Sequence, residues 1–269
     1  MSARTPAVSD GAPSATVTAL HTAAIKGTRL RSVASIELDE RGAAGDRKFF
    51  LVDERGRMVN TKTCRDLLKV SATVEDGRLR AEFPDGTVLY GEVALGEDVP
   101  ARFYSHTLSG RVVQGEWSRA FSDLTGRNLR LLAAGSAVDR GAKGAVSLIS
   151  RGSLRRLGEQ AQSDPVDARR FRMLIEVDGV EPNAEDLWIG RPIEVGEALL
   201  RFDGNVGRCL VTTLDPETGA VTLPTLDLLR EYRGDTESTE PLPLGVWGRV
   251  LRGGTVRVGD ALRFAPGER

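Results

Sequence analysis

The sharpest chemical signal in the sequence is a single cysteine, Cys209, within the stretch of residues 207–219. Arg208 precedes it, and a cation beside a thiol favours the thiolate, which is both the nucleophilic and the metal-binding form. The apolar run that follows, residues 210–213, predicts a strand. A solitary cysteine is also commonly a small buried hydrophobe, so the residues by themselves leave both interpretations open.

Other residues of metal-binding or nucleophilic type give weaker signals. His21 and His106 lie far apart in the chain, and neither has a histidine, cysteine or carboxylate at the spacing of a metal site. We therefore expect each histidine to be either satisfied by structural hydrogen bonds or exposed to solvent. Cys64 lies in residues 61–65, which predict a loop, and it is either a second reactive thiol or an incidental loop cysteine.

Short strand-like runs separated by turns must position these residues. Residues 49–52 form one apolar run, and residues 79–83 alternate apolar and polar side chains before a turn at residues 84–86. Residues 173–177 and 198–202 predict later strands. Thirty glycines and twelve prolines give many turns. Because no parallel βαβ rhythm is visible, the pattern predicts mixed or antiparallel barrels.

Three short helices interrupt the predicted strands. Residues 117–124 place their apolar side chains on one face, and Gly126 is expected to end this helix. The second helix is predicted to follow Ser150 as its N-cap and to run through Ala161. The third covers residues 225–232, and its first residue, a threonine, is the predicted N-cap.

Composition narrows the possible partners of this 269-residue chain. Its formal net charge is -1, with 28% charged residues, so bulk charge gives no reason to expect binding to nucleic acid or to an anionic membrane. Two cysteines cannot build a disulfide framework, and no run approaches the ~18 apolar residues that a membrane helix needs. We therefore predict a cytoplasmic protein with neither a membrane nor a nucleic acid as its partner.

Spaced motifs along nearly the whole chain after its N-terminal tail resemble one family. In chain order they are Ile25-Lys26, Gly45-Asp46-Arg47-Lys48-Phe49, Phe171-Arg172, Glu185-Asp186-Leu187-Trp188, Arg208-Cys209 with Thr212-Thr213-Leu214-Asp215-Pro216-Glu217-Thr218-Gly219, and Gly245-Val246-Trp247. Each motif is weak alone, but their shared order resembles the MOSC family, named for the molybdenum cofactor sulfurase C-terminal domain. The likeness extends to its two-part members similar to the mitochondrial amidoxime-reducing component and to bacterial MOSC proteins with an N-terminal β-barrel domain.

The resemblance implies a β-rich, α+β fold. A MOSC-type β-barrel would pack against an N-terminal β-barrel-like domain, with a few short helices. Residues 17–135 would form the MOSC N-terminal β-barrel domain, and residues 136–269 would form the MOSC domain. Residues 1–16, rich in Ser, Ala, Pro and Gly, are expected to be a disordered tail.

The resemblance also implies the site. Cys209 would be the catalytic residue and the molybdenum ligand, because a soft thiolate suits a soft, sulfur-rich molybdenum centre. The family binds the molybdenum cofactor, a pterin (molybdopterin) that carries a terminal phosphate. Lys26, Arg47, Arg172 and Arg208 are the predicted cofactor-binding residues, since phosphate is held by cations and by the planar fork of arginine.

Three positions depart from the family pattern. Gly27 stands where the family usually has serine, and Ala142 lies where it often has an Asp-x-x-Pro segment. Leu174 replaces an asparagine whose amide could bond the pterin. These replacements favour a chain in which the family scaffold serves another purpose.

The predicted function is a molybdenum-cofactor-dependent oxidoreductase that reduces N-hydroxylated or N-oxygenated small molecules. Its electrons would come from an external electron-donor protein, because the sequence has no flavin, haem or iron–sulfur motif. Two alternatives remain open. One is a repurposed MOSC scaffold that acts on another small-molecule ligand without molybdenum. The other is cysteine-based sulfur transfer through a persulfide on Cys209.

Overall fold

The computed structural model describes residues 15–103, 106–135, 141–163 and 165–265, with residues 141 and 142 described by their backbone only. The predicted tail lies outside this part up to residue 14, and the first described strand already begins at Thr16. Residues 136–140, at the start of the predicted MOSC domain, also lie outside it.

Strands dominate the chain, as the β-rich prediction requires. Those of the first half are β1 (Thr16–Thr22), β2 (Arg31–Val33), β3 (Ser35–Asp39), β4 (Gly42–Ala43), β5 (Phe49–Asp53), β6 (Met58–Val59), β7 (Ser71–Glu75), β8 (Arg78–Glu82), β9 (Val88–Glu92), β10 (Leu95–Phe103), β11 (His106–Val113) and β12 (Leu129–Ala134). Those of the second half are β13 (Val146–Ser150), β14 (Ile175–Asp178), β15 (Pro192–Val195), β16 (Ala198–Gly207), β17 (Pro243–Arg252), β18 (Gly254–Arg257) and β19 (Leu262–Phe264).

The helices are few and short, which confirms the predicted fold class. They are α1 (Trp117–Thr125), α2 (Arg151–Ala161) and α3 (Thr225–Arg233), together with 3-10 helices at Arg65–Lys69, Gly141–Gly144, Ala168–Phe171, Ala184–Trp188 and Leu210–Thr213. Within the described residues, none of these helices has the length and apolar character that crossing a membrane demands.

The largest sheet joins the two ends of the chain. Its eight strands lie in the order β19-β15-β16-β17-β13-β14-β1-β2, and β18-β3-β4 form a smaller sheet. One core cluster packs Val17 and Ile36 from the first strands together with Leu148 and Val246 from later ones. The predicted division between residues 135 and 136 stays a prediction, and strands from both sides of it share this core.

A second core lies beneath strands from the first half. The sheets β10-β11-β12-β5-β6 and β7-β8-β9 pack with α1 and the 3-10 helix Arg65–Lys69. Leu67, Leu79, Phe121 and Leu131 are fully buried there. Burying such side chains contributes about 1.5–3 kcal/mol each, so this region holds a substantial core of its own.

One parallel pair corrects the prediction that no βαβ rhythm exists. β13 pairs in parallel with β14, and α2 lies between them in the chain. Parallel neighbours need such a crossover connection. The apolar side of α2, Leu154 and Leu157, packs in a third core with Leu228 and Leu229 of α3. Periodicity misses the unit because β13 and β14 are only five and four residues long.

Two of the three predicted helix ends are confirmed, and the third is wrong. Gly126 ends α1 in the left-handed conformation, and the Ser150 side chain caps α2 by accepting from the Ser153 amide. Thr225, however, is the first residue of α3, and Pro224 occupies the N-cap position. The Thr225 hydroxyl donates instead to the carbonyl of Thr212 at 2.9 Å, so it fastens α3 to the segment after Cys209.

The predicted strand at residues 210–213 is wrong, because Leu210–Thr213 form a 3-10 helix. The Thr212 hydroxyl donates to the Cys209 carbonyl at 3.0 Å, and the Thr213 hydroxyl donates to the Leu210 carbonyl at 2.7 Å. Threonine side chains that bond back three residues compete with a strand ladder and favour a tight turn. The predicted strand at residues 173–177 likewise begins later, at Ile175.

Candidate functional site

A cavity of about 650 Å³ brings together every residue predicted for the site. Lys26, Arg47, Arg172, Arg208 and Cys209 all contribute to its lining, although they come from opposite ends of the chain. Its charged lining is mainly basic: Lys26, Arg41, Arg47, Arg170, Arg172 and Arg208 stand against Asp46 and Glu240. Such a lining suits an anionic ligand, while the roles of the individual residues stay predictions.

Cys209 lies between the end of β16 and the 3-10 helix Leu210–Thr213. It is the N-cap residue of that helix and has an extended backbone, with φ at -134°. Its thiol is free and the residue is exposed. The structure therefore excludes the interpretation of Cys209 as a buried hydrophobe, and it presents the sulfur at the cavity wall.

Arg208 anchors the chain immediately before this cysteine. Its side chain is buried, and its guanidinium donates to the Leu244 carbonyl and, at 3.0 Å, to the Phe171 carbonyl. The same group lies 5.1 Å from the centre of the Phe171 ring. Because these bonds reach both β17 and the 3-10 helix Ala168–Phe171, Arg208 fixes the backbone that carries Cys209.

Arg47 and Arg172 interlock across the cavity wall. The Arg47 Nη2 donates to the Arg172 carbonyl at 2.7 Å, and the Arg172 Nη2 donates to the Thr28 carbonyl at 2.7 Å. Arg47 also pairs with Asp46, whose other oxygen accepts from the Ala23 amide. Both arginines have left-handed backbones, with φ at 46° and 55°. Strained residues of this kind are often held at functional sites by their surroundings.

Sequence reasoning missed Arg170 and Arg41. Arg170 donates from Nη2 to the Thr222 hydroxyl at 2.7 Å and from Nη1 to the Thr213 carbonyl at 3.4 Å, so it braces the end of the 3-10 helix that begins after Cys209. The sequence signal that could have identified Arg170 is its position two residues before Arg172, a predicted site residue. Arg41 lies in a surface turn, and nothing in its local sequence distinguished it from a solvated charge.

Two departures from the family pattern have structural explanations here. Gly27 lines the cavity with φ at 93°, and a Cβ there would lie 3.1 Å from the Leu67 side chain and 3.3 Å from the Thr61 amide nitrogen. A serine would therefore be both strained and crowded. The Leu174 side chain belongs to the main core, while the side chain of Ala142 lies outside the described residues.

The acidic pair of the Glu-Asp-x-Trp motif is structural. Glu185 is fully buried and accepts from the Ser150 amide at 3.1 Å and from the Ser153 hydroxyl at 2.7 Å. Burial raises the pKa of the Glu185 carboxyl despite these hydrogen bonds. Asp186 accepts from Arg233 at 2.7 Å. Neither carboxyl lines the cavity, so this motif supports the fold around the site.

The two histidines have the roles that were expected of them. His21 is buried, with its Nε2 3.3 Å from Glu176 and its Nδ1 3.3 Å from the Ser32 hydroxyl. Burial would raise the pKa of Glu176, but hydrogen bonds from His21 and Arg151 lower it further than burial raises it. His106 is exposed at the start of β11 and lines the cavity.

The chemistry of the donors limits how a metal could be held. Among the residues that the structure describes, no group of three or more His, Cys, Asp or Glu side chains could hold a metal ion. A metal at Cys209 would therefore need ligands other than such a group of side chains, for example solvent or a cofactor. A single exposed thiol within a basic cavity fits a metal carried by an anionic, phosphate-bearing group.

Comparison with protein families identifies the class. The MOSC domain matches residues 110–263, which is more than half of the chain. The MOSC N-terminal beta barrel domain matches residues 14–128. The chain therefore belongs to the MOSC domain family, as its motifs predict.

The curated relatives include amidoxime-reducing components and a molybdenum cofactor sulfurase. The mitochondrial amidoxime-reducing component 1 of Danio rerio is 27% identical over 245 residues, which span 81% of this chain and 74% of the relative. The mitochondrial amidoxime reducing component 2 of Rattus norvegicus is 26% identical over 249 residues, which span 81% of this chain and 73% of the relative. The molybdenum cofactor sulfurase of Oryza sativa subsp. japonica is 25% identical over 230 residues, covering 71% of this chain and 27% of that protein.

Proposed function

We propose that this MOSC protein is a molybdenum-cofactor-dependent oxidoreductase that reduces N-hydroxylated or N-oxygenated small molecules. The observation that carries the proposal is the exposed thiol of Cys209 at the wall of a basic cavity. The names of the amidoxime-reducing relatives support this reaction class.

The five predicted site residues have three tasks in this proposal. Cys209 supplies the protein ligand to molybdenum, and Arg208 holds the backbone that places it. Lys26, Arg47 and Arg172 hold the terminal phosphate of the pterin, since arginine offers paired donors to phosphate oxygens. When bound, the cofactor supplies the two-electron chemistry that none of these side chains can perform.

The reaction requires partners that the chain does not provide. Reduction of an N–OH group consumes two electrons and two protons, breaks the N–O bond and releases water. An external electron-donor protein delivers the electrons, and solvent supplies the protons. That donor, the small-molecule substrate and the cytoplasmic location stay predictions.

Metal analysis tests the proposal directly. Protein made in a host that synthesises the molybdenum cofactor should contain about one molybdenum per chain by mass spectrometry, since one thiol serves one metal. Cys209→Ala should contain none, and Cys64→Ala should retain the wild-type amount. Wild-type protein free of molybdenum under these conditions would contradict the proposal.

The same preparation distinguishes the alternatives. Gly27, Ala142 and Leu174 motivate the alternative of a repurposed scaffold, which would act on another ligand and lack molybdenum. Sulfur transfer would appear as one additional sulfur atom on Cys209 by intact mass, lost on treatment with a reducing thiol. Amidoxime reduction that depends on molybdenum would exclude both.

A further inference from the structure

The basic residues that line the cavity differ in what they bind. Arg47, Arg172 and Arg208 donate to main-chain carbonyls, and Arg170 bonds Thr222 and Thr213. The guanidinium of Arg41, in contrast, has neither a hydrogen bond nor an ion pair with any residue in the described part of the chain. Its donors are therefore available to a ligand.

The backbone around Arg41 is firmly placed although its side chain is exposed. Arg41 lies in the turn between β3 and β4, and its amide donates to the Asp39 carboxylate at 2.7 Å. The next residue, Gly42, has φ at 113°, and a Cβ there would lie 2.8 Å from the Ala145 carbonyl oxygen. This close backbone contact fixes the turn against the start of β13, so Arg41 stands at the rim of the cavity.

We propose that Arg41 is a specificity-determining residue that recognises an anionic group, a carboxylate, on the substrate. The inference rests on the proposed function for the identity of the reacting group, but the anion subsite itself does not. A guanidinium presents two parallel donors that match the two oxygens of a carboxylate.

His106 supports the same subsite. It also lines the cavity, and in the described chain its imidazole contacts only the Phe103 ring, at 5.9 Å between centres. Its ring nitrogens have no hydrogen bond to any described residue, so they too can bond a ligand in the cavity. The acidic lining residue Asp46 is already paired with Arg47, so it does not neutralise the rim.

The substrates that follow are N-hydroxylated compounds that also carry a carboxylate. Phosphate shares this chemistry, and a second phosphate on a dinucleotide form of the pterin would be the other source of an anion at Arg41. The two sources separate experimentally, because one leaves with the substrate and the other is retained with the cofactor.

Paired probes test the proposal on the full chain made in a cofactor-competent host. Benzamidoxime is neutral, and 4-carboxybenzamidoxime adds only the anion. Calorimetric titration without an electron donor measures their binding in the absence of turnover, and kcat/KM with a chemical reductant measures their reduction. The variants are Arg41→Gln, Arg41→Lys, and Arg263→Gln as a control, since Arg263 is an exposed arginine of β19 outside the cavity.

We expect the wild type to bind the carboxylated probe about tenfold more tightly, because a charge-assisted bond contributes roughly 1.5 kcal/mol. Arg41→Gln should abolish this preference and leave benzamidoxime unchanged, Arg41→Lys should keep part of it, and Arg263→Gln should keep all of it.

Equal affinity for both probes, or a preference unchanged in Arg41→Gln, would overturn the inference. So would loss of the pterin from Arg41→Gln, or release from the wild type of a dinucleotide that this variant no longer retains, because the anion would then belong to the cofactor. If the wild type lacks molybdenum and reduces neither probe but keeps the binding preference, the proposed function fails and the anion subsite stands.

Discussion

The two cysteines occupy the same position in two similar turns, yet their surroundings are opposite. Cys64 and Cys209 are each the N-cap residue of a 3-10 helix, and both have extended backbones without a side-chain cap bond. Cys64 is buried in the core beneath the first-half strands, whereas Cys209 is exposed at the basic cavity. Local geometry is therefore shared, and the packing around each turn determines what its sulfur can do.

The substitution with the largest expected effect is Cys209→Ala, which tests whether this cysteine alone has a functional role. Cys209→Ala should lose all bound molybdenum and all reductase activity, because the thiolate is the protein's ligand to the metal. When both proteins are metal-free, its free energy of unfolding should stay within about 0.5 kcal/mol of the wild type, since the side chain is exposed. Unfolding followed by circular dichroism, beside metal analysis, checks both statements. Metal retained at the wild-type amount would place the ligand elsewhere.

Thiol labelling sharpens the comparison without any substitution. In the metal-free protein, iodoacetamide should modify Cys209 long before Cys64, and peptide mass spectrometry over time gives the two rates. Cys64 is 8% exposed and must wait for local opening, and an opening that costs about 3 kcal/mol slows labelling roughly a hundredfold. Similar rates would mean that the first-half core does not protect its cysteine.

Cys64→Ser tests the buried side of the comparison. A hydroxyl replaces a sulfur within an apolar cluster, so we expect a loss of about 1–2 kcal/mol in the free energy of unfolding. The matched Cys209→Ser variant should change it by less than about 0.5 kcal/mol. Urea denaturation measures both. Molybdenum content should be unchanged in Cys64→Ser, and a fall as large as that of Cys209→Ser would give Cys64 a role at the site.

Arg170→Gln should produce the smallest change. It removes two hydrogen bonds that brace the segment after Cys209, at a cost of about 1 kcal/mol, and it should lower metal retention severalfold during dialysis against a chelator. Arg156→Gln is the control, because Arg156 is exposed on α2 and bonds only Glu159 in the described chain. Equal retention in the two variants would show that the 3-10 helix keeps its position without Arg170.

The sequence correctly predicted helix ends that depend on a single residue and its immediate neighbours. Gly126 and Ser150 mark helix ends through backbone conformation and side-chain capping, and both predictions are confirmed. The segment Leu210–Thr213 misled because threonine and valine favour strands, whereas here the hydroxyls bond back to nearby carbonyls. Whether this segment forms a strand or a 3-10 helix depends on which hydrogen-bond partners the rest of the fold provides.

The site was accessible to sequence reasoning through the spaced motifs and much less through individual residues. Nothing local to Lys26 or Arg47 indicates that either meets Cys209, because the cavity arises from pairing between distant strands. Arg41 was missed for a related reason, since its placement depends on the contact of Gly42 with Ala145. Long-range approach of this kind leaves no periodic pattern in one sequence.

The joining of the chain's two ends in one sheet has a consequence for biosynthesis. β1 pairs with β14. β3 pairs with β18, which lies near the C-terminal end of the described chain. The polypeptide must therefore have been made as far as β18 before the walls that carry Lys26, Arg47 and Cys209 can close on one another. A cofactor that occupies the finished cavity must therefore enter after β18 has been synthesised.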